Sequence, residues 1–143
     1  MVRQNTIGFV IFKMVGREIK YLMLHHEGQY WNFPKGRQES GESELATAKR
    51  ELAEETGIQT VEVIKDFRYE YDYDIDTIVS DGVKEKAAKH AIFFLGQVQD
   101  QEIKISAEHL DYGWFDFETA LKRAFYQDGQ NLIKAANQFL SKR

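Results

Sequence analysis

"GRQESGESELATAKRELAEETGI", residues 36–58, decides how this chain is read. Its second half carries the signals of one helix, predicted over residues 43–56. Ser43 is an N-cap residue, Glu44 lies in the first turn, where an acid favours the helix, and Gly57 follows as a terminator. At ~100° per residue, Leu45, Ala48 and Leu52 fall on one side, which is the natural core face. Glu51, Glu54 and Glu55 follow the i, i+3, i+4 spacing that puts side chains on one face, next to that apolar stripe. Carboxylates crowded together resist ionising, so their charge must be offset by water, by arginine or by a divalent cation. The nearest bases are Lys49 and Arg50, and the helical wheel directs Arg50 away from the triplet. Glu42 and Arg50 can pair and tie the preceding loop to the helix.

Two readings of the triplet stand side by side. One is a solvated acidic helix face. The other is a site for a hard cation, since carboxylate oxygens suit magnesium or manganese. The loop before the helix favours the second. It is punctuated by Gly36 and Gly41, so it can bring a backbone carbonyl close, and it carries Lys35, a point charge of the kind that meets phosphate.

Outward from the helix, the pattern is mixed. Residues 6–15 are rich in β-branched and aromatic side chains and predict a strand; a turn at residues 16–18 leads to a second strand over 19–26, giving a hairpin. The stretch 27–36 holds the single proline and reads as a loop. Residues 60–75 alternate and predict one long or bent strand. Residues 76–89 read as a polar connection with a turn at Asp81-Gly82. Residues 90–98 predict a buried strand, 112–117 a short strand, and 118–125 and 130–140 two helices. Strands around one acidic helix predict an α/β layered architecture, with residues 1–143 as a single domain.

Composition narrows the classes of function. The chain has 143 residues, 43% hydrophobic and 29% charged, enough for a core without disulfide or metal staples. A net charge of −4 argues against a general binder of DNA, which is usually basic. The absence of cysteine rules out disulfides, thiolate zinc sites and thiol catalysis, and fits a cytoplasmic setting. No apolar run approaches the ~18 residues that span a bilayer, so no membrane partner is expected.

Gly36, then Glu42, then Arg50-Glu51-Leu52-x-Glu54-Glu55-x-Gly57-Ile58 matches the Nudix hydrolase signature at nine positions in a 23-residue window. The chain is therefore identified as resembling that family. The resemblance implies an α/β/α sandwich with a mixed β-sheet and a loop-helix-loop catalytic motif. It implies hydrolysis of a nucleoside diphosphate linked to another moiety, by water attacking phosphorus, with Mg2+ (or Mn2+) as cofactor. The matching cation ligands are Glu51, Glu54 and Glu55, with the Gly36 carbonyl as an additional one. The cations would neutralise the polyphosphate and ease deprotonation of the attacking water. The general base stays open among Glu51, Glu54 and a residue outside the motif. Glu42, Arg50 and Gly57 are structural in this pattern: Arg50 orients the helix glutamates and Glu42 braces the loop. Leu52 and Ile58 fill apolar slots.

Residues 31–36, 89–98 and 106–120 resemble the diadenosine tetraphosphate hydrolases of the animal and archaeal type, which give ATP and AMP. By position, Lys35 and Lys89 would meet the phosphate chain, and Glu108 would be a further cation ligand or the base. Phe93 and Phe125 would lie near adenine, and Tyr30 stands where that group often has histidine. Phe93 replaces a frequent tyrosine and Arg37 a frequent histidine. Plainer readings compete. Strand alternation leaves open whether Phe93 or Phe94 faces the core. Phe125 on an amphipathic helix fits a core position, Trp31 fits packing, and Lys89 fits a solvated basic stretch. His25, His26, His90 and His109 lack zinc spacing and read as ordinary histidines. The run 70–76 reads as the alternating solvent face of a strand that continues into a loop. The 5′ end of RNA and nucleoside triphosphates remain alternative substrates, a non-catalytic nucleotide sensor a third reading, and both a monomer and a homodimer stay open.

Overall fold

The computed structural model describes residues 4–78, 82 and 84–143. Its elements, in order, are β1 (Gln4–Val15), β2 (Glu18–Glu27), β3 (Tyr30–Asn32), β4 (Lys35–Arg37), α1 (Glu44–Thr56), β5 (Glu62–Val63), β6 (Tyr69–Ile78), β7 (Lys84–Gln97), β8 (Asp111–Phe115), α2 (Phe117–Arg123) and α3 (Gln127–Ser141). The eight strands form one mixed sheet with a path β3-β2-β1-β7-β5. β4 joins β1, β6 joins β7 and β8 joins β2. The β1–β7 pair is parallel, from Gln4 opposite Lys89 to Phe12 opposite Gln97, and the other pairs are antiparallel.

Period-2 alternation along the central strands sorts two cores. Ile7, Phe9 and Ile11 of β1 and Ile92 of β7 pack with Ala48, Leu52 and Ile58 beside α1. Val10 and Phe12 of β1 and Ala91, Phe93 and Leu95 of β7 pack on the other face with Ala120, Leu132, Ile133 and Ala136 of α2 and α3. The layers are thus α/β/α, as expected. Ser43 caps α1, accepting from the Ala46 N–H, and Gly57 ends it at φ 79°, donating to the Ala53 carbonyl. A left-handed residue at that place favours glycine.

Four expectations are corrected. The strand expected over 60–75 is two, because the chain turns at Lys65 and Asp66, with Asp66 at φ 72°. The loop expected over 27–36 contains β3 and the start of β4. Residues expected to be a polar connection instead extend β6 and β7, paired as far as Ile78 opposite Lys84; Asp81 of the expected turn lies outside the described residues. Finally, α2 stops at Arg123, so Phe125 lies on the connection between α2 and α3 and not on a helix. Phe125 is 54% exposed, which removes the core reading.

Candidate active site

Helical spacing delivers Glu51, Glu54 and Glu55 to one side of α1, and the contacts of each then differ. Arg50 does not turn away from them. Its Nε donates to Glu42 Oε2 (2.7 Å) and its Nη2 to Glu42 Oε1 (3.0 Å) and the Arg37 carbonyl (3.0 Å). Its Nη1 donates to Glu51 Oε1 (2.8 Å) and stands 3.3 Å from both oxygens of Glu54. The expectation from the helical wheel fails because it gives the direction of Cβ, whereas a long guanidinium can fold back and fork between partners. Arg50 therefore offsets part of the crowded charge, that of Glu42, Glu51 and Glu54. Glu42 also accepts from the Glu39 N–H and the Thr47 hydroxyl, both at 3.0 Å. Its bond to Arg50, above all, holds its carboxyl down to about 2, and the same bond raises the affinity of Arg50 for its proton. The Glu42–Arg50 brace between loop and helix is as expected.

Glu55 is the most enclosed of the three. Its Oε1 accepts from the Lys35 backbone N–H at 2.9 Å, which ties α1 to β4. Burial pushes its carboxyl up to about 7, and the charges of Glu51 and Glu108 push the same way. Glu51 is raised too, by burial first, against the pull of Arg50. Side-chain exposure separates the roles: 12% for Glu55, 15% for Glu51 and 58% for Glu54. Glu108 is exposed in the turn before β8, near enough for its charge to be felt by Glu51 and Glu55.

Gly36 lies against this cluster. A Cβ built there would fall 1.9 Å from the Glu51 carboxyl carbon, so only glycine lets the Glu51 carboxylate lie over the β4 backbone. Among the described residues, no three His, Asp or Glu side chains converge into a ready metal cage, since Arg50 and the Lys35 N–H each draw carboxylates their own way. The donor set nonetheless fits a hard cation: three carboxylates on one helix face, a fourth nearby, and a glycine backbone in contact.

Beside the carboxylates, a cleft of about 440 Å3 opens between β3, β6 and the α2–α3 connection. Its walls include Tyr30, Phe33, Tyr73, Phe125 and Tyr126, and Asp74 and Asp128 lie at its rim. Lys35 also lines it, 5.6 Å over the Tyr73 ring. Burial, then the charge of Lys89, lowers the affinity of the Lys35 amine for its proton. Lys89 is opposite Tyr73 in the β6–β7 ladder, near enough for its charge to act on Lys35. Tyr30 stacks on His26 at 5.1 Å and meets Tyr126 edge-on at 5.1 Å; burial pushes its hydroxyl up to about 12.

The structure gathers Lys35, Gly36, Glu42, Arg50, Glu51, Glu54, Glu55, Glu108, Lys89, Tyr30 and Phe125 around this site. It does not bring Phe93 to it. Phe93 has no exposed surface, and its ring lies 6.3 Å from Tyr71 in a stacked pair, so Tyr71 and not Phe93 faces the cleft. Phe94, half-buried, packs in the opposite core. Sequence reading missed Tyr71, Tyr73, Tyr126 and His109. The signal for the first two was the period-2 spacing of Tyr69, Tyr71 and Tyr73, whose acidic neighbours drew the stretch to the solvent side. His109 is 6% exposed, with Nε2 3.7 Å from Glu55 Oε2.

The pattern of the NUDIX domain matches residues 2–136. Bis(5'-nucleosyl)-tetraphosphatase [asymmetrical] of Mus musculus is 33% identical over 148 residues, covering 95% of each chain. RNA pyrophosphohydrolase of Pelagibacter ubique is 31% identical over 147 residues, covering 92% of this chain and 91% of that protein. The crystal structure of a C. elegans Ap4A hydrolase binary complex superposes with a TM-score of 0.83 at 25% identity, over 98% of this chain and 99% of that one.

Proposed function

The chain belongs to the NUDIX domain family, a family of hydrolases that generally use divalent metal ions, and on that footing we propose that it cuts a dinucleoside tetraphosphate asymmetrically into a nucleoside triphosphate and monophosphate. The observation that carries this reading is Lys35: its backbone N–H holds Glu55 while its side chain lines the aromatic cleft, so carboxylates and base-sized cleft adjoin at one residue. The tetraphosphatase relative of Mus musculus supports the same substrate class.

Aromatic walls suit a nucleobase, because every base has a π-face to stack and stacking tolerates base identity. Tyr30, Tyr73, Phe125 and Tyr126 would hold the base. Lys35 and Lys89 would meet the phosphates that leave the cleft toward α1. Glu51, Glu54, Glu55 and Glu108, with the Gly36 carbonyl, would hold Mg2+ or Mn2+. When bound, the cations neutralise the polyphosphate and stabilise charge on the departing phosphate. Glu54 is the side chain freest to take a proton from the attacking water: it is the most exposed of the helix carboxylates and its two contacts with Arg50 are long. A cytoplasmic location fits this substrate class.

A second reading keeps the chemistry and takes the pyrophosphate at the 5′ end of RNA. The relative named RNA pyrophosphohydrolase favours it. The net charge of −4 weighs against it, since long phosphate tracks are met by many basic residues. Purified protein incubated with Mg2+ and a panel of diadenosine tetraphosphate, nucleoside triphosphates and 5′-triphosphate RNA separates these. ATP plus AMP from the tetraphosphate is expected. Faster release from RNA ends selects the second reading, and turnover of nothing in the panel overturns both.

A further inference from the structure

The segment after β7 does more than lead to β8. Lys104 N–H donates to the Thr56 carbonyl (2.9 Å) and Ser106 N–H to the Glu55 carbonyl (3.2 Å), fastening the segment along the C-terminal end of α1. His109 N–H then donates to the Ser106 carbonyl (3.1 Å) and closes a turn. That turn presents two side chains to the α1 carboxylates, Glu108 on the outside and His109 inward.

His109 is the one buried histidine of the four. Its Nδ1 lies 3.0 Å from the Ser106 hydroxyl, its Nε2 3.7 Å from Glu55 Oε2, and the His26 ring packs against it at 4.6 Å. The ring is buried, and its two nitrogens face different groups, the Ser106 hydroxyl and the Glu55 carboxylate. A bare nitrogen lone pair facing the ionised carboxylate, the form that can hold a cation, would be repelled. The arrangement that gives each group a partner has Ser106 donating to Nδ1 and the hydrogen on Nε2, directed at Glu55. At 3.7 Å this is longer than a direct hydrogen bond, yet close enough for the N–H dipole to bias how the carboxylate turns. The other oxygen of Glu55 is already taken by the Lys35 N–H.

We propose that His109 is a positioning residue: with Ser106 setting its tautomer and the Lys35 N–H holding the opposite oxygen, it orients the Glu55 carboxylate for a divalent cation. This rests on the reading of Glu55 as a cation ligand. Groups behind metal ligands are worth ~10–100-fold in metal affinity.

The test is Mn2+ affinity, measured by calorimetric titration on folded protein without nucleotide, for wild type, His109→Leu, His109→Gln and Ser106→Ala. His109→Leu is expected to weaken Mn2+ binding by ~10–100-fold, and His109→Gln to recover most of it, because its amide N–H replaces the Nε2 donor. Ser106→Ala keeps the ring but frees its tautomer, and a loss of several-fold is expected. It also serves as the decisive variant should His109→Leu fail to fold. Affinity unchanged in Ser106→Ala and in the folded His109 variants, or a glutamine variant as weak as the leucine one, overturns the positioning role while the cation site stands. Wild-type protein that takes up no Mn2+ overturns the reading of Glu55 as a ligand and this inference with it.

Discussion

At the carboxylate end of the site, Glu42, Arg50, Glu51, Glu54 and Glu55 all come from one helix and the loop before it, and their positions follow from helical spacing and one arginine. At the cleft end, Tyr30 comes from β3, Tyr73 from β6, and Phe125 and Tyr126 from the α2–α3 connection. The first region is charged, tied by short hydrogen bonds and intolerant of a single added methyl at Gly36. The second is built from ring faces and edges that hold one another at 5 to 6 Å. Rate should therefore be concentrated at the first and affinity spread over the second.

Glu54→Gln is the sharpest way to break that division: turnover should fall ~10²-fold or more with the fold intact, since proton transfer and metal roles carry effects of that order. Steady-state kinetics beside a circular dichroism spectrum checks it, and near-normal activity removes Glu54 from the chemistry. Phe93→Ala tests the boundary between cleft and core. A fully buried ring costs ~3–5 kcal/mol when truncated, so denaturant unfolding should show that loss, and KM in the surviving folded protein should hardly move. A large rise in KM at normal stability would return Phe93 to the cleft.

pH separates the regions again. Glu55 titrates at about 7 in the fold against an ordinary 4.5, so the fold prefers it protonated. Its stabilising contribution is complete below pH 4.5 and lost as pH rises through 7, by about 3 kcal/mol at most. Glu42, held at about 2, acts in the opposite sense and in another window: its contribution is present above pH 4.5 and lost as pH falls toward 2. Metal-free protein should thus melt lower at pH 8 than at pH 5. Glu55→Gln should flatten that slope, and a slope that survives the substitution assigns it elsewhere. The smallest effect belongs to the cleft. Tyr126→Ala should weaken nucleotide binding by ~1–3 kcal/mol through lost stacking, visible as raised KM with kcat little changed. A fall in kcat with KM intact would place Tyr126 with the chemistry instead.

The same contrast explains what could be read in advance. Ser43, Gly57 and the i, i+3, i+4 glutamates are local signals, and local signals fixed α1 to within a residue. Two-sided burial of β1 and β7 follows from continuous apolar runs, so the layers were legible as well. Asp66 adopts its left-handed turn without a glycine or proline to mark it, and that hid the break between β5 and β6. Arg50 was misplaced because spacing says nothing about where a flexible guanidinium ends. The cleft stayed hidden because its walls meet only after the sheet has closed. His109 looked ordinary because its partners, Ser106 apart, lie far away along the chain.

The parallel alignment of β1 with β7 carries a consequence for how the protein is made. β1 leaves the ribosome well before its parallel neighbour, which emerges only after the whole glutamate helix and the β6 strand have followed. The glutamate helix is thus synthesised before the surface that supports it is complete. Pairings of such long sequence separation slow folding, so refolding from denaturant should be governed by closure of this one strand pair, and a nascent chain halted before β7 should hold its carboxylates in no fixed arrangement at all.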